Sequence, residues 1–280
     1  MGVRIVTDTS CDLPPSLEKE LEELGVVIVR FLFRFGLEEC EDKTIPMKEF
    51  LARAESTWPT TSVPSPGAFA QAFRECVEAG DEVVCITITG NHSATYSAAV
   101  LASQEFPAGQ VTVVDSKSLS LPQGLMVLAV ARAAQEGKSP QAVVETIKEL
   151  QGRLHLFITL DTVEYLVKGG RASRLSGVVA GLLKIRPILT LLDGELTLVE
   201  KPRGRKAAKQ KLIELAKDCF PAETVGVAHI ACEEEARELV SEISLQTGFP
   251  EEEILLAETG MVIATHGGPG TLGIVVVSKM

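Results

Sequence analysis

Glu82-Val-Val-Cys-Ile-Thr87 is an apolar run of strand length, and Gly90-Asn-His-Ser93 leads from it into a helical segment that reaches Glu105. The run Val111-Thr-Val-Val114 predicts the next strand, and the polar loop Asp115-Ser-Lys-Ser118 follows it. Strands that alternate with helices of ten or more residues indicate βαβ units, in which neighbouring strands are parallel. This stretch therefore predicts the α/β fold class.

The alternation extends in both directions from this stretch. Val3 to Thr7 predicts a strand, and Val26 to Phe35 predicts a half-buried strand. A second series opens at Leu154 and contains Asp193-Gly194 between two apolar runs, which is typical of a β-hairpin. Because 280 residues are many for one core, we predict two α/β domains with mostly parallel sheets, residues 1–152 and 153–280.

Composition excludes several classes of function and suggests a compartment. A formal net charge of −11 disfavours sequence-independent nucleic-acid binding, which needs a basic face. The apolar segment from Val178 to Leu192 is interrupted by Lys184, Arg186 and Pro187, and the first residues are unlike a signal peptide, so we expect neither an integral membrane segment nor secretion. The six cysteines form no CxxC pair, which predicts reduced thiols and a cytoplasmic protein.

Polar loops follow the predicted strands, where parallel α/β sheets bind ligands. They are Asp8-Thr9-Ser10, Thr89 to Ser93, Asp115-Ser116 and Thr265-His266, with Thr60-Thr61-Ser62 before a predicted helix. Hydroxyl groups together with helix N-termini can bind a carboxylate or phosphate without a lysine. Each hydroxyl taken singly is better explained as an ordinary helix cap, and it is their recurrence on the predicted ligand side that favours a site.

The stretch from Glu258 to Gly273 carries a histidine beside four residues of glycine and proline, Gly267-Gly-Pro-Gly270. We predict that His266 lies on a loop between two buried strands and belongs to a ligand site, although a tight turn with an incidental histidine fits the same residues. Because a strand rather than a helix follows the glycines, a dinucleotide-binding role is excluded.

Catalytic and metal-binding alternatives have weaker support. Ser93, His266 and Asp115 could form a triad, but Ser93 lacks the G-x-S-x-G context of a nucleophile elbow. The four histidines show no metal-ligand spacing, so we expect no metal site. We expect His92 to face solvent.

Two basic loops and one apolar segment remain to be explained. Lys168-Gly-Gly-Arg171-Ala-Ser-Arg174 and Lys201-Pro-Arg-Gly-Arg-Lys206 place arginines on stiff turns suited to a phosphate, a carboxylate or a protein partner. Leu175 to Leu192 predicts either core or the wall of a tunnel.

Seven motifs, taken in order over nearly the whole chain, resemble the DegV family. They are Thr7-Asp-Thr-Ser-Cys-Asp-Leu13, Thr61-Ser-Val-Pro-Ser65, Ser93-Ala-Thr-Tyr-Ser-Ala98, Val114-Asp-Ser116 with Ser120 and Gly124, Tyr165-Leu-Val-Lys-Gly-Gly-Arg171, Arg186-Pro-Ile-Leu189 with Asp193-Gly194, and Thr265-His-Gly-Gly-Pro-Gly270. Val63 stands where the family often has glutamine and Ala94 where it often has glycine.

The resemblance implies two α/β domains with a long-chain fatty acid in a cleft between them. It implies a function like that of FakB-type subunits of bacterial fatty acid kinase, which present the carboxylate to a separate ATP-dependent kinase for acyl phosphate formation. Thr61, Ser62, Ser93 and His266 would then bind the carboxylate, and Arg171 and Arg203 would face the kinase or its phosphate.

The resemblance thus predicts a lipid-binding carrier for phospholipid metabolism, with no catalytic residue, cofactor or metal of its own. A free-standing Ser/His acyl hydrolase is the competing hypothesis, and a structural or regulatory α/β protein with a vestigial pocket is the third. Acyl length, unsaturation and the kinase partner's identity stay open.

Overall fold

The computed structural model describes residues 2–172 and 185–280. The strands are β1 (Val3–Asp8), β2 (Val27–Val29), β3 (Leu32–Phe35), β4 (Glu38–Glu41), β5 (Thr60–Ser62), β6 (Glu82–Thr87), β7 (Val111–Asp115), β8 (Leu154–Thr159), β9 (Ile188–Leu192), β10 (Glu195–Glu200), β11 (Ala222–His229), β12 (Leu255–Glu258) and β13 (Leu272–Ser278). The helices are α1 (Pro15–Glu23), α2 (Met47–Ser56), α3 (Pro66–Glu78), α4 (Thr95–Ser103), α5 (Ser120–Gln135), α6 (Pro140–Arg153), α7 (Glu164–Lys168), α8 (Arg205–Lys217), α9 (Glu233–Thr247) and α10 (Met261–Gly267).

The described strands form three sheets. A parallel sheet has the order β2-β1-β6-β7, and an antiparallel sheet of β4-β3-β5 lies beside it in the N-terminal half. The C-terminal half contributes six strands in the order β10-β9-β8-β13-β11-β12. The α/β class is therefore confirmed, and the N-terminal sheet is parallel as the alternating strands and helices predicted.

The C-terminal sheet differs from the prediction of mostly parallel sheets. Only β11 and β12 are parallel neighbours, and its other four pairings are antiparallel. The Asp193-Gly194 hairpin reverses β9 into β10 as predicted, and β13 returns between β8 and β11, antiparallel to both. A turn as short as Asp193-Gly194 can join only antiparallel strands, because parallel neighbours need a crossover connection of about a dozen residues or more.

Helices α5 and α6 lie between the two larger sheets. Their apolar residues share one core with Ile5 and Ile86 of the N-terminal sheet and with Leu156 and Val275 of the C-terminal sheet. Helices α3 and α4 cover the outer face of the first sheet, and α8 and α9 cover that of the second. The chain passes directly from α6 into β8, near the domain boundary placed at residue 152 from the sequence, and that division stays a prediction.

Two local predictions are wrong. Val26 to Phe35 is not one strand, because β2 joins the parallel sheet whereas β3 pairs with β4 and β5. Residues 258 to 273 do not form a simple loop, because α10 intervenes and His266 lies in its last turn. In the described ranges no helix is long and apolar enough to cross a membrane. The six cysteines are free thiols.

Candidate functional site: a cleft between the two halves

An apolar cleft opens between the N-terminal and C-terminal halves of the chain. Its volume is about 780 Å³ when its open mouth is counted. Its apolar walls come from both halves: Phe31, Val63, Ile88 and Leu119, and Ile158, Leu160, Leu166, Leu189, Leu196, Val262 and Ile263. Its polar lining residues are Thr61, His92, Ser93, Arg171, His266 and Thr271. A few polar groups in an apolar cleft are typical of a small-molecule site.

Thr61 and His266 meet across the two halves at this cleft. Thr61 Oγ1 lies 3.2 Å from Nε2 of His266. Thr61 is on β5, where Phe33 is its partner in register, and this edge strand was predicted as a loop. The other ring nitrogen of His266, Nδ1, is buried and has no hydrogen-bond partner among the described residues.

Glycines on two segments allow the loop after α7 to pack against the His266 turn. A methyl group at Gly169 would overlap Nδ1 of His266, and one at Gly268 would overlap the ring of Tyr165. Tyr165 in turn packs on Trp58, with ring centroids 4.9 Å apart, and Lys168 Nζ lies 4.7 Å from the Trp58 ring centroid. The two glycine motifs predicted from sequence are thus neighbours in space, and side chains larger than hydrogen would separate them.

The surroundings of His266 keep its imidazole neutral. Burial, and then the neighbouring Arg171 and His92, lower the pKa of His266 to about 3. At neutral pH the ring therefore has one N–H donor and one acceptor nitrogen. A neutral imidazole can donate a hydrogen bond to a carboxylate without adding a buried charge.

Ser93 lies in the same cleft. Its buried hydroxyl is 2.7 Å from Oγ1 of Thr95 and accepts a hydrogen bond from the Thr95 backbone N–H at 3.3 Å. His92 is also buried, and its Nε2 accepts a hydrogen bond from the backbone N–H of Leu196 at 2.9 Å. The expectation that His92 faces solvent is wrong, because this bond ties the loop after β6 to the β9–β10 hairpin.

The other three predicted site residues do not all line the cleft. Arg171 lines the cleft, and its Nη1 donates to the Gly169 carbonyl at 2.7 Å. Arg203 is exposed outside the cleft, in an isolated antiparallel bridge with Ile185. Ser62 follows Thr61 on β5 but does not belong to the described lining of the cleft, since successive strand residues point to opposite faces.

The triad of the hydrolase hypothesis is not assembled by the described residues. The Asp115 carboxylate accepts hydrogen bonds from the backbone N–H groups of Gly90 and Lys117, at 3.0 and 2.8 Å. The Ser93 hydroxyl pairs with Thr95, and His266 pairs with Thr61. Residues 2–172 and 185–280 also contain no cluster of three or more His, Cys, Asp or Glu that could hold a metal ion.

Sequence reasoning identified part of the apolar lining. Leu189, from the predicted tunnel-or-core segment, lines the cleft, while residues 175–184 of that segment, and Arg174 of the basic loop, lie outside the described residues. The contributions of Phe31, Ile88 and Ile158 were missed, because a strand-end apolar residue is indistinguishable from core in a sequence.

The chain belongs to the DegV family, whose profile, described as an uncharacterised protein family, matches residues 2–279. A DegV domain-containing protein of Caldanaerobacter subterraneus subsp. tengcongensis is 32% identical over 277 residues, 97% of each chain. One from Deinococcus radiodurans is 32% identical over 281 residues, 98% of each chain.

Solved structures agree with this membership. A DegV family protein from Thermus thermophilus, described for its fatty acid binding, has a TM-score of 0.90 and 33% identity, with both chains fully covered. The fatty-acid-binding DegV of Bacillus subtilis has a TM-score of 0.87 and 27% identity over 99% of each chain. A stearic-acid-binding protein from Eubacterium ventriosum has a TM-score of 0.85 and 28% identity over 98% of this chain and 97% of its own.

Proposed function

We propose that this DegV family member binds a long-chain fatty acid in the cleft and presents its carboxylate to a separate ATP-dependent kinase, which forms the acyl phosphate. The observation that carries the proposal is the pairing of Thr61 and a neutral, half-buried His266 at an apolar cleft. The fatty acids bound by the structural relatives from Thermus thermophilus and Bacillus subtilis support the same ligand class.

The two parts of such a ligand would have separate roles. About fourteen buried methylenes would contribute on the order of 11 kcal/mol of transfer free energy, before the cost of association. A carboxylate buried without partners would cost several kcal/mol, so donors must converge on it. Thr61, Ser93 and His266 would supply those donors.

Arginines at and beside the cleft would serve the phosphoryl-transfer step. Arg171 lines the cleft and already lowers the pKa of His266 through its positive charge. Arg203 is exposed, as a residue in contact with a partner protein would be. In this proposal the two halves, residues 1–152 and 153–280, hold the acid between them, and the carrier works in the cytoplasm beside its kinase.

Mass spectrometry of an organic extract of the purified protein tests ligand binding. We expect a long-chain fatty acid in the extract, and reloading with palmitic acid after delipidation. A protein that yields no acyl ligand and cannot be loaded would contradict the proposal.

Replacement of Arg203 tests the presentation step. Arg203→Ala should retain palmitic acid with unchanged affinity, because the side chain is outside the cleft, but should slow acyl phosphate formation by a purified bacterial fatty acid kinase at least tenfold. Lys201→Ala is the matched control from the same loop. An unchanged rate for Arg203→Ala would remove the proposed contact with the kinase.

A further inference from the structure

The helix that carries His266 is held at its N-terminus by two carboxylates from the other half of the chain. Asp42 Oδ1 accepts hydrogen bonds from the backbone N–H groups of Met261 and Val262, at 2.9 and 3.2 Å. Asp12 Oδ1 accepts one from the backbone N–H of Gly260 at 3.0 Å. These are N–H groups that a helix leaves without intrahelical partners, and negative charge there is favoured by the helix dipole.

The Asp12 carboxylate has two further partners, Lys43 and Ser120. Lys43 Nζ lies 3.1 Å from Asp12 Oδ1 and donates to Glu18 at 2.8 Å, and the Ser120 hydroxyl donates to Asp12 Oδ2 at 2.6 Å. Asp12 and Asp42 are fully buried. Lys43 and Ser120 adopt left-handed backbone conformations, with φ of 62° and 55°, which are uncommon for residues other than glycine.

This arrangement has an electrostatic cost. Burial, and then the neighbouring Asp12, raises the pKa of Asp42 to about 6. Asp42 Oδ2 is buried with no hydrogen-bond partner in the described part of the chain. Costly buried groups and strained backbone are concentrated at functional sites.

The geometry links this contact to the cleft. α10 has only seven residues, so about 7 Å of helix rise separates Met261 from His266. A shift of the helix N-terminus would therefore move the imidazole as well. Val262, whose N–H is held by Asp42, itself lines the cleft beside His266.

We propose that Asp42 and Asp12 are positioning residues, which hold α10 across the two halves so that His266 meets Thr61 and the carboxylate of the ligand. The proposal rests on the proposed function in that its ligand is a fatty acid. A purely structural role would instead change stability and leave the head-group site intact.

The test compares Asp42→Ala, Asp42→Asn and the control Asp81→Ala. Asp81 also accepts a backbone N–H, from Gly2 at 3.0 Å, and pairs with Arg4, but at the opposite end of β1. The readouts are palmitic acid affinity and the imidazole resonances of His266 in the ligand-free protein, assigned with His266→Gln.

We expect Asp42→Ala to weaken palmitic acid binding at least tenfold and to shift the His266 resonances. Asp42→Asn keeps an oxygen acceptor at the same place and should recover most of the affinity. Asp81→Ala should leave both readouts unchanged, whatever its melting temperature. If Asp42→Ala fails to fold, Lys43→Met, which releases Asp12, should weaken binding severalfold and shift the same resonances.

Unchanged affinity and unchanged His266 resonances in the folded variants would overturn the positioning role. A wild-type protein that binds no fatty acid would refute the proposed function instead. The resonances of the ligand-free protein would still decide whether Asp42 positions His266.

Discussion

Two polar centres, the buried Asp8 and the half-buried His266, differ in how completely the chain satisfies their hydrogen bonds. Asp8 accepts hydrogen bonds from the Ser10 backbone and hydroxyl, from Gln123 Nε2 at 3.2 Å and from the Ile88 backbone N–H at 2.8 Å. The described contacts of His266 satisfy Nε2 through Thr61 and leave Nδ1 without a partner. Asp8 is the last residue of β1, and His266 lies in the last turn of α10.

The difference separates a polar centre satisfied within the chain from one that can accept a further partner. A buried polar group whose hydrogen bonds are all made within the chain stabilises one arrangement of its neighbours. A neutral histidine at the wall of an apolar cleft has capacity for a further partner. The polar residues Asp8-Thr9-Ser10 are thus satisfied within the chain, although their position after a predicted strand suggested contact with a ligand.

Replacement of Asp8 should have the largest effect. Asp8→Ala leaves the backbone N–H groups of Ile88 and Ser10 buried without an acceptor, at about 1–3 kcal/mol for each unsatisfied group, and removes one of the acceptors of the Ser10 hydroxyl and of Gln123 Nε2. We expect the free energy of unfolding to fall by roughly 3 kcal/mol or more, measured by urea denaturation. Asp115→Ala, at a half-buried carboxylate that also accepts two backbone N–H groups, should cost less. Equal losses of unfolding free energy in the two variants would show that Asp8 contributes no more to stability than Asp115.

His266→Ala should affect the ligand more than the fold. Loss of a hydrogen bond to a charged group corresponds to about 1.5–3 kcal/mol, or roughly ten- to a hundredfold in the dissociation constant of palmitic acid. Isothermal titration calorimetry measures the affinity, and thermal denaturation checks the fold. His155→Ala is the control, because His155 is on β8 and does not belong to the described lining of the cleft. Wild-type affinity in His266→Ala would assign the carboxylate to other donors.

The depressed pKa of His266 predicts acid sensitivity of known sign. In the unfolded chain His266 has a pKa near 6.5, whereas in the folded protein its pKa is about 3. Between these values the unfolded chain binds a proton at His266 and the folded protein does not. Stability is therefore full above pH 6.5 and decreases as the pH falls, by about 2 kcal/mol between pH 6.5 and 5. His266→Gln should lose less stability over that interval in urea denaturation. Parallel losses in wild type and variant would show that the imidazole is not kept neutral.

Gly169→Ala should have a smaller effect, confined to the cleft. The added methyl group would overlap Nδ1 of His266, and overpacking of this kind costs about 1–3 kcal/mol. We expect palmitic acid binding to weaken about tenfold or less while secondary structure, measured by circular dichroism, is unchanged. Gly152→Ala is the control, because a methyl group there meets no atom within 4 Å. Identical affinities in the two variants would show that the close approach at Gly169 is unnecessary.

The sequence predicted those elements whose pattern is local. The apolar runs of β1, β6 and β7 and the Asp193-Gly194 hairpin follow from residue type and spacing, and the structure confirms them. The break between β2 and β3 could not be predicted, because Val29 pairs with Asp8 whereas Phe33 pairs with Cys40 and Thr61. Pairing partners decide where that strand divides.

The candidate site was predicted in its residues more than in its geometry. Thr61, Ser93 and His266 line one cleft, but His266 is helical where a loop was expected. Val262, Ile263 and Thr265 are β-branched and form helices only weakly. The first N–H groups of their helix donate to Asp12 and Asp42, more than 200 residues earlier in the chain, and no local pattern contains that information.

Trp58 gives the protein an internal optical reporter. It is the single tryptophan of the chain, and it packs on Tyr165, in the segment that continues through Gly169 to the imidazole of His266. Fluorescence excited selectively in tryptophan therefore comes from Trp58 alone. Because Lys168 lies above its ring, that fluorescence should change with small displacements of the segment. Stopped-flow fluorescence of the unlabelled, unmutated protein would thus time the arrival and departure of a ligand.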